Sequence, residues 1–65
     1  MDLIQQFRRD CILNAQKPAW ISPDLYYDLL EVGMITFGKN DQPFFVGHEL
    51  RVIPEMSVEY RFTDA

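Results

Sequence analysis

The sequence predicts an α+β fold: two short helices packed on a small, mostly antiparallel sheet of three to four strands. Three observations carry that expectation. Apolar residues recur at three- and four-residue spacing near the start of the chain. A Ser-Pro-acidic signal at Ser22 opens a second run of that kind. From Met34 onward the apolar period drops to two, interrupted by turn residues. The expected element order is α-β-α-β-β-β-β, and 65 residues leave room for one small core, so residues 1–65 are read as a single small domain.

The first helix is expected over 2–15. Asp2 can cap it, with Gln5 three residues on at capping-box spacing. Leu3, Ile4, Phe7, Cys11 and Ala15 follow one helical face, while Ile12 and Leu13 fall off the stripe. Pro18 stops the helix. The aromatic and β-branched Ala19-Trp20-Ile21 reads as one extended strand. Ser22 then serves as N-cap, Pro23 as first helical residue and Asp24 as negative charge in the first turn. This second helix is expected to run to about Val32 and to stop at Gly33. Leu25, Leu29 and Val32 are expected to face the core, with Tyr26 and Leu30 at their flanks. Asp24, Tyr27, Asp28 and Glu31 take the opposite face.

The remaining chain reads as strands over 34–37, 44–46, 49–53 and 57–62. Residues 38–43 form a turn by composition, Gly47-His48 a tight turn, and Pro54-Glu55-Met56 another. Leu50 and Val52 are expected to face inward, as are Val58, Tyr60 and Phe62, with Glu59 and Arg61 outward. The segment 57–62 is also the expected exposed sheet edge.

Composition narrows the function. Six Lys+Arg against ten Asp+Glu give a net charge of −4, and only Arg8-Arg9 cluster, so direct nucleic-acid binding is disfavoured. No apolar run approaches a membrane span, and Met1-Asp2-Leu3 lacks the basic and apolar regions of a signal peptide. One cysteine cannot form an internal disulfide and fits a reducing compartment, so a cytoplasmic location is expected.

Catalytic templates fail by inventory. A single histidine and a single cysteine cannot assemble the usual four-ligand zinc site. Cys11 falls on an apolar helix face, where a thiol is structural. His48 sits in a turn and is expected to be exposed. Gly33, Gly38 and Gly47 are well separated and each marks a turn, so no phosphate loop exists. Ser22 and Ser57 open elements and have no local base. No catalytic residue, metal or cofactor is expected, and the chain is read as a non-enzyme.

Two features point to recognition instead. Asp24, Asp28 and Glu31, at i, i+4 and i+7, line one helix face with Tyr27 at its edge. One Trp, three Tyr and five Phe exceed what so small a core can enclose. Trp20, Tyr26, Tyr27 and Phe45 are the expected surface aromatics. The candidate protein-binding surface therefore combines Trp20, Tyr26 and Tyr27 with Asp24, Asp28 and Glu31. Aromatics would supply buried area, and carboxylates would steer a basic partner.

The segment Lys17-Pro18-Ala19-Trp20-Ile21-Ser22-Pro23-Asp24-Leu25-Tyr26, together with Phe45-Val46-Gly47-His48-Glu49-Leu50-Arg51-Val52-Ile53-Pro54, resembles small uncharacterised proteins of tailed bacteriophages and prophages. The resemblance implies a viral gene product in a bacterial host cytoplasm, acting on an assembly or a host protein. It carries over no catalytic residue. The expected function is a non-catalytic protein–protein interaction module that binds a host or virion protein. One alternative is an acidic mimic of nucleic acid that inhibits a host DNA- or RNA-binding protein. The other is a self-associating virion or assembly component, a homo-oligomer.

Overall fold

The computed structural model describes residues 2–63. Helix α1 spans Leu3–Leu13, strand β1 Ala19–Ile21 and helix α2 Pro23–Glu31. Strands β2 (Thr36–Phe37), β3 (Pro43–Phe45), β4 (His48–Val52) and β5 (Tyr60–Phe62) follow. The two helices and the mixed, mostly antiparallel sheet make the expected α+β domain, with five strands rather than three to four. Their order across the sheet is β2-β3-β4-β1-β5. β1 runs parallel to β4 and antiparallel to β5, while β3 is antiparallel to both β2 and β4.

Local chemistry sets the helix ends. The Asp2 carboxylate accepts a hydrogen bond from the Gln5 N–H at 2.8 Å, which satisfies one of the open donors of the first turn. Asn14, directly after Leu13, closes α1: its amide side chain donates to the Asp10 carbonyl at 2.9 Å. At α2 the Ser22 hydroxyl accepts from the Leu25 N–H at 3.1 Å, with Pro23 in the first helical position. The C-terminus of α2 ends on Gly33 at φ +73°. There the Gly33 N–H donates to Leu30 and the Met34 N–H to Leu29, the two bonds of a Schellman cap.

Both helices cover one face of the sheet. Phe7 and Cys11 from α1, Leu25 and Leu29 from α2, Ala19 and Ile21 from β1, Phe45 from β3 and Leu50 from β4 form a single buried cluster. α1 thus packs on its own sheet. Phe7 is the hub. Its ring lies 5.0 Å from Phe45, 4.7 Å from Tyr60 and 6.0 Å from Phe62, centroid to centroid. Contacts of this kind add to the area each ring buries.

Several expectations are corrected. Phe45 is fully buried, because its register opposite His48 turns it toward the helices. His48 opens β4 instead of lying in a turn and is only 5% exposed; it shares the inward face with Leu50 and Val52. The turn is Val46-Gly47, both at positive φ. Val32 is exposed, because α2 has already ended at Glu31. The segment 54–59 turns and bends, so the last strand is only Tyr60–Phe62 and Val58 is exposed. The strand at 34–37 is likewise reduced to Thr36–Phe37. The helix expected to 15 stops two residues earlier.

Candidate functional site

Alternation along each strand fixes what the uncovered face of the sheet presents. Ala19 and Ile21 are buried, so Trp20 between them projects to the side away from the helices. Leu50 and Val52 point inward, so Glu49 and Arg51 point outward. Tyr60 and Phe62 point inward, so Arg61 points outward.

Register then places these side chains in rows. Arg51, Trp20 and Arg61 lie directly opposite one another across β4, β1 and β5. The Arg61 guanidinium carbon stands 6.0 Å from the Trp20 ring centroid, the outer limit of a cation–π contact. One residue pair away lies a second row. Phe44 pairs with Glu49, Pro18 follows at the next register step, and the Thr63 N–H donates to the Pro18 carbonyl at 3.0 Å. On the other side, the Ser22 hydroxyl donates to the Glu59 carboxylate at 2.9 Å.

Trp20 separates two shallow depressions. One, of about 260 Å³, is lined by Pro18, Trp20, Glu49, Arg51 and Thr63. The other, of about 220 Å³, lies beside Ile53, Met56, Val58 and Arg61. Thr63 Oγ1 is buried next to the first, without a hydrogen-bond partner among the described residues. The face offers apolar area, two guanidinium forks and a carboxylate.

The surface expected from the sequence is divided by this geometry. Tyr27, Asp24, Asp28 and Glu31 are exposed on α2, with Tyr26 half-buried against the core and its ring 6.2 Å from that of Tyr27. Trp20 is on the opposite side of the sheet and does not join them. Arg51 and Arg61, which flank it, were hidden from a reading by local spacing, since only strand pairing brings them beside Trp20. The acidic row on α2 forms no ion pair among the described residues, where Arg9 with Asp10, at 3.9 Å, makes the single bridge.

Tyr60, Asp10, Cys11 and His48 are held by packing and hydrogen bonds inside the fold. The Tyr60 hydroxyl donates to Asp10 Oδ2 at 2.5 Å. Burial, this bond and the neighbouring negative charge push the Tyr60 phenol up to about 12. Burial, with the Asp10 charge beside it, also pushes the Cys11 thiol up to about 12, which makes it a poor nucleophile. His48 Nδ1 lies 2.8 Å from the Lys17 carbonyl, a bond that requires the hydrogen on Nδ1. Its ring meets Phe62 edge-on at 5.9 Å. No group of three or more metal-ligating side chains occurs among the described residues, and no described helix is long and apolar enough to cross a membrane. Comparison with protein-family models, with curated proteins and with solved structures finds no match to this chain.

Proposed function

We propose that the chain is a non-catalytic protein–protein interaction module whose contact surface is the uncovered face of the sheet, centred on Trp20. The observation that carries this reading is the row Arg51–Trp20–Arg61. A tryptophan held between two arginines on a strand-borne, rigid surface combines the residue types that dominate interface energetics. The likeness of the segments around Trp20 and Gly47 to bacteriophage proteins supports a host or virion protein as partner and a bacterial cytoplasm as the setting.

The test is a photo-crosslinking amino acid at position 55, exposed beside the depression next to Trp20, compared with one at position 28 on α2. Protein adducts, with this chain or another, are expected from position 55 and should be lost in W20A. Adducts from neither position would refute the reading. Adducts from position 28 alone would favour a second one, in which the carboxylates Asp24, Asp28 and Glu31 occupy a basic groove in place of nucleic acid. DNA would then compete for the partner, and binding would weaken steeply with salt.

A further inference from the structure

We propose that the partner on this face is a second copy of the chain, packed sheet to sheet about a two-fold axis that crosses the strands between Pro18 and Trp20. The inference rests on the reading above, that the uncovered face is the contact surface. It adds the identity of the occupant.

The argument is one of charge placement. In an isologous pair, residue i meets residue j and j meets i. The outward side chains form two adjacent rows. One is Glu49, Pro18 and Thr63; the other is Arg51, Trp20 and Arg61. A two-fold axis along the second row, or along β1 through Trp20, sets arginine against arginine. An axis one row further on pairs Arg61 with Glu59 but sets Arg51 against the apolar Ile53. An axis between the two rows brings opposite charges together. Glu49 meets Arg51 of the other copy, twice over. Each Trp20 ring meets a Pro18 ring, and each Arg61 meets the Thr63 side of the depression.

The depression of about 260 Å³ is lined by Pro18, Trp20, Glu49, Arg51 and Thr63, so it lies on this axis, and the indole of the other copy would fill it. Two twisted sheets stack aligned in this way about 10 Å apart. Other occupants fit less well. A nucleic acid strand would meet Glu49, Glu55 and Glu59 around the arginines, on a chain of net charge −4. An acidic peptide would satisfy Arg51 and Arg61 but leave Glu49 facing like charge.

Short strands make a small interface, and the dimer should dissociate between about 10 μM and about 1 mM. Sedimentation equilibrium over that range is the experiment, with circular dichroism to show that each variant is folded. R51E and E49R should each weaken dimerisation at least tenfold. The double variant E49R/R51E restores the pair with its charges exchanged and should dimerise within about threefold of the original chain. A monomer throughout, or a folded double variant no better than the single ones, overturns the proposal. If position 55 then crosslinks to another protein, the interaction-module reading stands and only the second copy is lost. If it crosslinks to nothing, both fall.

Discussion

Replacing Val46 with asparagine should stabilise the protein. Val46 and Gly47 are the two loop residues between β3 and β4, at φ 50° and 78°, the signature of a type I′ hairpin turn. Glycine suits the second position. A β-branched residue at the first is strained, because the left-handed region costs an ordinary residue about 1–2 kcal/mol and a β-branched one no less. Asparagine is a preferred occupant of that site. Against this stands lost burial. Val46 is 52% exposed, and half of a small aliphatic side chain accounts for about 0.7 kcal/mol. The backbone effect is the larger, leaving a net gain of about 0.5–1 kcal/mol. For a domain of this size that raises the melting temperature by roughly 2–8 °C. Thermal unfolding followed by circular dichroism, checked by urea titration at constant m-value, reads it directly. A melting temperature that is unchanged or lower would refute the reasoning, since the hidden half of Val46 would then outweigh its strained backbone.

F7A should cost about 3–5 kcal/mol and leave a chain of this size largely unfolded, whereas F7L keeps most of the volume and should fold; urea unfolding separates them. Y60F removes the donor to Asp10 and should cost about 1–2 kcal/mol by the same measurement. Stability should fall at alkaline pH. The Cys11 thiol and the Tyr60 phenol both release protons at lower pH unfolded than folded, so their contributions are complete below about 9 and 10 and are lost as pH rises toward about 12. Each adds at most about 1.4 kcal/mol per pH unit. Y60F should flatten the upper part of that decline, and a curve unchanged by the substitution would show that the phenol is not its cause. A thiol reagent should label Cys11 only as fast as the protein opens. Rapid modification of the native state would contradict the burial of Sγ.

What the sequence reveals of this fold follows from the range of the forces involved. Asp2, Ser22-Pro23 and Gly33 act on neighbours within four residues, and the helix ends lie within two residues of where those signals set them. The alternation of Leu50 with Val52 and of Tyr60 with Phe62 was equally legible. Extended one step back, it would have placed His48 on the inward face, but the adjacent glycine read as a turn in which His48 belonged. Phe44 and Phe45 show the limit: either could face the core by local pattern, and the Val46-Gly47 turn decides by setting Phe45 opposite His48. The candidate surface was half legible. Trp20 and the acidic row can be picked out by local spacing, but their separation onto opposite sides follows from which face of β1 the helices cover. Arg51 and Arg61 come to Trp20 from 31 and 41 positions along the chain, a distance no spacing rule spans.

The same strand order bears on how the chain reaches its folded state. β2, β3 and β4 form a meander of short loops and can zip locally. β1, one of the three interior strands of the sheet, has no neighbour nearby in sequence: both of its partners, β4 and β5, lie in the final third of the chain. Closing those long loops costs entropy before any contact repays it, which gives a high contact order and slow folding for so short a protein. During synthesis, the first helix and β1 emerge with their apolar faces unsatisfied and must wait for Tyr60–Phe62. Cleavage anywhere in residues 54–59 would release β5, uncover Phe7 and unravel the rest as one cooperative unit.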